Sequence, residues 1–230
     1  MPKQRSVFVL SLGGSLIVPN DGIDVSFLKK FREIILSHVR RGDRFIIICG
    51  GGATARSYQA AARNIKGLTR DDLDWLGIHA TRMNAHLMRT IFRDYAHPVV
   101  IKDPTRKISW RQPILIGAGG KPGHSTDYDA VKLARQFGGK LIINLSNITY
   151  VYDKDPRKHR GAKPICEISW KEFRKLVGNR WDPGANLPFD PIAARGAERL
   201  GMRVIITDGK NIPNLKRILT GKNFQGTVIF

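Results

Sequence analysis

The segment Pro113-Ile-Leu-Ile-Gly-Ala-Gly-Gly-Lys-Pro-Gly-His-Ser-Thr-Asp127 joins an apolar, strand-like run to a glycine-rich turn that ends in Ser-Thr-Asp. Leu12-Gly-Gly-Ser15 and Gly50-Gly-Gly52 also follow apolar runs. Glycine lets a backbone approach an anion without a Cβ in the way, and successive N–H groups in a turn form an anion nest. A helix that begins after such a turn adds the positive end of its dipole. Together the three turns indicate a protein that binds phosphate groups.

Strand-type and helix-type patterns alternate along the chain. The pattern predicts strands at 6–12, 45–49, 98–101, 113–116, 140–144, 203–207 and 227–230, and a small strand before residue 169. It predicts helices at 24–41, 53–65, 71–95, 127–137, 169–177, 190–200 and 212–219, a basic irregular segment at 150–163, and a Gly/Pro/Asn loop at 178–188. This alternation is typical of the α/β class, here a three-layer α/β/α sandwich with a mostly parallel central sheet. Ligands of such sheets bind beyond the carboxyl ends of the strands, where all three glycine turns fall.

The composition limits the classes of protein that the chain can represent. Its 230 residues suffice for one large domain or two lobes, and no apolar run reaches the roughly 18–20 residues that span a bilayer. The two cysteines, Cys49 and Cys166, predict neither a disulfide framework nor a zinc site, so a reducing, cytoplasmic compartment is expected. The net charge of +20 favours acidic partners. Because the basic residues are spread along the chain, we expect only weak, salt-sensitive binding of nucleic acid.

The second glycine turn is followed by a cation. Arg56 lies one and a half turns into the helix that Gly50-Gly-Gly52 opens, where a guanidinium can contact a phosphate in bidentate fashion. The alternative is an arginine that is simply exposed on a helix. At the first turn, Gly14 and Ser15 offer backbone N–H groups and a hydroxyl, although a plain β-loop turn would contain the same residues.

The long helix predicted at 71–95 carries two patterns. Its apolar stripe is expected to consist of Leu76, Ala80, Met83, Leu87 and Ile91. A second set shares one face at spacings of three and four residues: Asp74, Gly77, Ile78, Thr81 and Asn84. On that face Asp74 could accept hydrogen bonds from ribose hydroxyls, or it could merely complement the dipole at the helix N-terminus.

The third glycine turn gathers several polar groups within a few residues. Possible phosphate contacts are Lys121, His124, Ser125 and Thr126, and His124 is equally well explained as a loop histidine. Asp127 lies near a helix start, where a carboxylate is favoured as a cap. Asp129 is expected to be the better exposed of the two carboxylates, and the sequence does not decide which of them faces a ligand.

Polar groups also follow the strand predicted at 140–144. They are Ser146, Asn147, Tyr152 and Asp155, which offer hydrogen-bond partners and a stacking ring for an adenine or a ribose. The chain contains no Gly-x-x-x-x-Gly-Lys-[Ser/Thr] pattern, and no Gly-x-Gly-x-x-Gly opens a helix. The sequence therefore disfavours both a P-loop ATPase and a Rossmann dehydrogenase.

Taken in order, six segments of the chain resemble the amino acid kinase family, and within it the UMP kinases of the archaeal type. The segments are Gly-Gly-Ser15, Gly-Gly-Gly-x-x-x-Arg56, Gly77-Ile-x-x-Thr-Arg-x-Asn-Ala85, Pro122-Gly-His-Ser-Thr-Asp127, Tyr152-Asp-Lys-Asp-Pro156 and Asp190-Pro-x-Ala-Ala194. The third and fourth segments are the specific ones, whereas the Gly-Gly motifs are shared by the whole superfamily. The resemblance extends from residue 7 to about residue 227.

This resemblance implies transfer of the ATP γ-phosphoryl group to UMP with Mg²⁺, in a single domain with an acceptor-binding lobe at about 1–139 and an ATP-binding lobe at about 140–230. It implies contacts to ATP for Gly14, Ser15, Gly52, Arg56, Ser146, Asn147, Tyr152 and Asp155. It implies contacts to the acceptor for Gly51, Asp74, Gly120, Lys121, Pro122, Gly123, His124, Ser125 and Thr126. Ser15, Arg56, Lys121 and Asp127 are the expected catalytic residues, no metal ligand is expected from the protein, and a homohexamer built from dimers is the expected assembly.

The chain departs from the family pattern at three places. Ser11 occupies a position where many members have lysine, Thr149-Tyr150 replaces Asp-Gly, and Ser-Thr-Asp127-Tyr-Asp129 is one residue longer than the archaeal pattern. Two alternatives therefore accompany the UMP kinase prediction. One is another small-molecule kinase of the superfamily, such as an isopentenyl phosphate kinase with an apolar acceptor pocket. The other is a catalytically weak protein that binds nucleotide or nucleic acid.

Overall fold

The computed structural model describes residues 6–156, 158–182 and 187–230, so residue 157 of the basic segment and residues 183–186 of the predicted loop lie outside the described residues. Its strands are β1 (Val7–Leu12), β2 (Arg44–Cys49), β3 (Ile114–Gly117), β4 (Leu141–Ser146), β5 (Val151–Tyr152), β6 (Pro164–Ile165), β7 (Glu167–Ile168), β8 (Arg203–Asp208) and β9 (Thr227–Ile229). Its helices are α1 (Gly14–Ile17), α2 (Val25–Val39), α3 (Gly52–Ile65), α4 (Arg70–Ile91), α5 (Thr126–Gln136), α6 (Trp170–Val177), α7 (Pro191–Arg199) and α8 (Ile212–Leu219).

Seven strands form the central sheet in the order β3-β2-β1-β4-β8-β9-β7. All neighbouring pairs are parallel except β8 and β9, and β5 and β6 form a separate antiparallel hairpin. The order changes direction at β1, which has β2 on one side and β4 on the other. A doubly wound sheet opens a crevice at such a point, beyond the carboxyl ends of its strands.

Both faces of the sheet are covered by apolar packing, as expected for strands that read as continuous apolar runs. On one face, β-strand side chains pack with α2, α4 and α8, including Phe31, Met88 and Leu215. On the other face they pack with α5, α6 and α7, including Leu133 and Phe173. The predicted three-layer α/β/α sandwich with a mostly parallel sheet is confirmed.

The prediction of a strand at 98–101 was wrong. Only isolated bridges join Ala96 to Ile114 and Ile101 to Gly117. Between them Pro98 has no N–H for a ladder, and the Val99 N–H donates to His97 Nδ1 at 3.2 Å instead of to a neighbouring strand. The segment therefore runs beside β3 without extending the sheet.

The prediction for the long helix was wrong in its end and at Met83, whereas Ala80 is buried and Leu87 and Ile91 pack against the core as predicted. α4 ends at Ile91, whose carbonyl accepts a hydrogen bond from Arg32 Nε at 3.0 Å. Met83, placed on the stripe, is 69% exposed. On the second predicted face, Thr81 and Asn84 are also buried, because both side chains bond the glycine turns of neighbouring strands.

Cys49 and Cys166 are both free, and burial raises the pKa of the Cys49 thiol. Among the described residues, no helix combines the length and apolar character that a bilayer crossing requires.

We predict that Gly14→Ala strongly destabilises the fold. A Cβ at residue 14 would overlap the backbone of Gly50–Gly52, lying 2.5 Å from the Gly50 carbonyl carbon, so two strand ends would have to separate. Overpacking of this kind costs about 2–3 kcal/mol in the free energy of unfolding. Urea denaturation should show that loss.

The matched control is Gly67→Ala, because a Cβ at residue 67 meets no atom within 4 Å. Equal stability of the two variants would contradict the close approach of the first two glycine turns.

Candidate active site

The glycine turns that follow β1 and β2 lie against each other. The Gly50 N–H donates to the Leu12 carbonyl at 2.9 Å, and the Gly13 N–H donates to the Leu145 carbonyl at the end of β4 at 2.8 Å. Gly52 adopts φ +65°, a left-handed conformation that favours glycine, as α3 begins. The ends of β1, β2 and β4 therefore meet at one edge of the sheet.

Arg56 joins the first two turns. From α3 its guanidinium donates to Ser15 Oγ at 3.1 Å and to Asn20 Oδ1 at 3.0 Å. The structure thus brings together Ser15 and Arg56, as the sequence predicted. Asn20 was missed, because a single asparagine in a surface turn carries no signal of its own.

α4 forms a wall of the site through the polar face that the sequence identified. Asn84 Nδ2 donates to the carbonyls of Gly50 and Gly51 at 2.8 and 3.2 Å. Thr81 Oγ1 accepts the Gly119 N–H at 2.8 Å. One helix therefore fixes the second and third glycine turns relative to each other.

Asp74 lies at the start of this face and is buried, with 8% of its surface exposed. Its carboxylate accepts the Gly123 N–H at 2.8 Å and the Trp181 Nε1–H at 3.2 and 3.3 Å to its two oxygens. The cap of α4 is Thr69, in a capping box with Asp72. Asp74 is therefore not needed to cap the helix, and its side chain faces a cleft.

This acceptor cleft, as we call it, lies between α3, α4 and the third glycine turn. Seven predicted residues line it: Gly51, Gly52, Arg56, Asp74, His124, Ser125 and Thr126. Gln59 and Trp181 also line it and were not predicted. Gly120 and Lys121 line a larger neighbouring cleft, on the other side of the same turn.

Asp127 connects three parts of the sheet edge. Its carboxylate accepts hydrogen bonds from Ser11 Oγ on β1 at 2.8 Å, from Asn144 Nδ2 on β4 at 3.3 Å and from the Asp190 N–H at 3.2 Å. The cap of α5 is Ser125 and not Asp127. Burial raises the pKa of Asp127 to about 6, and the charge of Asp190 raises it as well, against the lowering effect of the Ser11 hydroxyl.

Asp190 is a site residue that the sequence reasoning left out of the site, although the Asp190-Pro-x-Ala-Ala motif contains it. It caps α7 by accepting the Ile192 N–H at 2.6 Å, and its other oxygen accepts the Ser125 N–H at 2.7 Å. The available signal was an Asp-Pro pair at a helix start, which by itself predicts a helix N-cap and not a residue that contacts another segment. Only the fold shows that this cap also holds the third glycine turn.

The expectation that Asp129 is the better exposed carboxylate was wrong. Asp129 is 1% exposed, whereas Asp127 is the one at the convergence of the strands. Burial raises the pKa of Asp129 to about 8. His124 Nδ1 lies 4.0 Å from its carboxylate, and burial lowers the pKa of His124.

The residues predicted for the ATP nucleoside lie on the other side of β1. Ser146 ends β4, where its carbonyl accepts the Gly209 N–H at 2.9 Å, and Asn147 follows it in an exposed position. Tyr152 belongs to the β5–β6 hairpin, and the Asp155 carbonyl accepts the N–H groups of Lys158 and His159. The sheet order thus separates these residues from the acceptor cleft by the width of β1.

The Asp127 pKa generates a prediction on stability. Because the folded pKa of about 6 exceeds the usual aspartate value of 3.8, the folded state binds this proton more tightly than the unfolded chain does. The corresponding stability is lost as pH rises through about 6. Between pH 5 and pH 8 the wild type should lose roughly 1–2 kcal/mol of unfolding free energy relative to Asp127→Asn. Chemical denaturation of both proteins across this range measures the difference. A pH-independent difference would show that Asp127 is ionised throughout.

Comparison with known proteins agrees with this geometry. The model of the amino acid kinase family matches residues 6–208. The chain is 32% identical to the uridylate kinase of Methanocorpusculum labreanum over 96% of this chain and 94% of the relative, and 34% identical to that of Pyrococcus abyssi over 96% and 98%.

Among solved structures, the uridylate kinase from Archaeoglobus fulgidus superimposes with a TM-score of 0.81 at 30% identity, covering 98% of this chain and 100% of that one. The similarity in sequence and in structure extends over nearly the whole length of each protein. The chain belongs to the amino acid kinase family.

Proposed function

We propose that the protein is a UMP kinase that transfers the γ-phosphoryl group of ATP to UMP, giving UDP and ADP. The proposal is supported by relatives named uridylate kinase and by the chemistry of the acceptor cleft. The observation that carries it is the pairing, in one cleft, of a buried carboxylate on Asp74 with the guanidinium of Arg56. The ribose hydroxyls of a nucleoside monophosphate can donate to Asp74, and its phosphate would then lie near Arg56, whose charge neutralises the phosphoryl group transferred from ATP.

Asp74 distinguishes this function from the isopentenyl phosphate kinase alternative. A lipid-like acceptor has no hydroxyl or N–H group to offer a buried carboxylate. Such an acceptor gains no hydrogen bond with Asp74, whose carboxylate keeps its bonds from the Gly123 and Trp181 N–H groups. The ribose hydroxyls of UMP satisfy Asp74, so the cleft favours the nucleotide.

In the proposed reaction an anionic oxygen of the UMP phosphate attacks the γ-phosphorus of ATP, and the bond from that phosphorus to the ADP oxygen breaks. Because the attacking oxygen is already anionic, the step needs alignment and charge neutralisation more than a general base. Arg56 supplies one positive charge between the two glycine turns. Ser15 and the N–H groups of Gly14, Gly51 and Gly52 are the proposed phosphate donors.

Mg²⁺ enters this proposal as part of MgATP. Across residues 6–156, 158–182 and 187–230 the structure contains no group of three or more His, Cys, Asp or Glu side chains that could hold a metal ion. Mg²⁺ in kinases is bound largely by substrate phosphates and water, with one or two carboxylates at most. Asp127 already accepts three hydrogen bonds, which supports a positioning role for it at the ends of β1 and β4.

Several finer expectations accompany the function as proposals. The ATP nucleoside would bind beside Ser146, Asn147, Tyr152 and Asp155, and residues 1–139 and 140–230 would act as acceptor and ATP lobes. Lys121, Pro122 and His124 would complete the acceptor contacts. A hexameric assembly and a cytoplasmic location remain predictions from the sequence.

The direct test is a coupled assay of ADP release by purified protein with MgATP and a panel of acceptors: UMP, CMP, dTMP and isopentenyl phosphate. We expect UMP to give the highest kcat/KM, with UDP as the product. Preference for isopentenyl phosphate would contradict the assignment of Asp74. Tight RNA binding at physiological salt, with no turnover on any acceptor, would support the binding-protein alternative instead.

We predict that Arg56→Gln lowers kcat by about 10²–10³-fold, because a preorganised charge at the transferred phosphoryl group is lost. Arg63→Gln is the matched control, since Arg63 is an exposed arginine on the same helix. Steady-state kinetics of both variants, with folding checked by circular dichroism, measure the effect. Similar kinetics for the two variants would place the transferred group away from Arg56.

A further inference from the structure

Trp181 reaches the acceptor cleft from the C-terminal half of the chain. Its indole N–H is shared between the two Asp74 oxygens, at 3.2 and 3.3 Å. Asp74 Oδ1 has no other described hydrogen bond, while Oδ2 also accepts the Gly123 N–H. The indole therefore occupies the carboxylate face that the proposed function gives to the ribose hydroxyls.

The contacts that hold Trp181 in this position are weak. Unlike Trp170, the side chain is absent from both apolar cores and is only half-buried. The next residue, Asp182, pairs with Arg70 at 3.5 Å, but both side chains are largely exposed, and exposed ion pairs contribute little. A shared N–H bond at these lengths is also weaker than two separate, shorter bonds.

We propose that Trp181 is a specificity-determining residue that competes with the acceptor for Asp74 and is displaced from that carboxylate when the acceptor binds. This inference rests on the proposed function, since the displacing groups are the hydroxyls of a nucleoside monophosphate. Two hydroxyls replace one shared N–H, so the exchange favours a ribose-bearing acceptor. An acceptor without hydroxyl donors cannot make the exchange and leaves the indole in place.

The displacement has an energetic consequence. The indole bond satisfies a buried carboxylate, and the acceptor must break that bond to contact Asp74. A competing internal hydrogen bond weakens the apparent affinity by the net strength of that bond, which corresponds to about two- to tenfold. Removing the indole N–H should therefore tighten acceptor binding.

The first test follows the exposure of Trp181 by acrylamide quenching of tryptophan fluorescence during titration with UMP. The wild type should show a saturable increase in quenching as the indole leaves the cleft. Trp181→Phe should show none. Trp75→Phe is the matched control and should retain the increase, because Trp75 lies on α4 outside the cleft lining.

The second test is kinetic. Trp181→Phe keeps an aromatic ring but has no N–H, so the KM for UMP should fall about two- to tenfold, whereas Trp75→Phe should leave it unchanged. A higher KM, or an increase in quenching that persists in Trp181→Phe, would overturn the inference.

Equilibrium dialysis with labelled UMP separates the two proposals. Binding and turnover of UMP without a change at Trp181 would overturn this inference alone. Failure of the wild type to bind UMP would overturn the proposed function and the inference with it.

Discussion

The backbone of Gly14 lies against the backbone of Gly50 and Gly52, and the rest of the site depends on this contact. It is possible only because neither turn carries a Cβ at the point of approach. The contact brings the N-termini of α1 and α3 together at one edge of the sheet. Arg56 then adds its positive charge between them.

Buried carboxylates hold the remaining elements around that contact. Asp127 ties β1 to β4, and Asp190 ties the start of α7 to the third glycine turn. Each carboxylate is surrounded by hydrogen-bond donors, which compensates in part for its removal from water. These hydrogen bonds hold the ends of β1 and β4, the start of α7 and the third glycine turn together. The side chains of Asp74 and Arg56 line the cleft.

The sequence predicted what depends on local pattern. The alternation of apolar runs predicted the sheet, and the glycine turns predicted the edge at which the site lies. The spacing of Asp74, Gly77, Ile78 and Thr81 predicted the helix face that lines the cleft. These features follow from strand and helix periodicity, which a single sequence displays.

What the sequence did not predict depends on contacts between distant segments. Asp129 looked exposed because its burial comes from the packing of α5 and not from its neighbours in sequence. Trp181 and Asp74 are 107 residues apart, so no local pattern could connect them. Met83 fitted the apolar stripe by its spacing but is 69% exposed, whereas Ala80 of the same stripe is buried.

Hydrogen–deuterium exchange measures the central claim most directly, because that claim concerns backbone N–H groups. Peptides covering residues 11–20, 48–58 and 117–127 should be protected together when UMP and a non-hydrolysable MgATP analogue are added. Protection confined to one of these peptides, or located only at lysine-rich surface segments, would contradict a single nucleotide site to which all three glycine turns contribute.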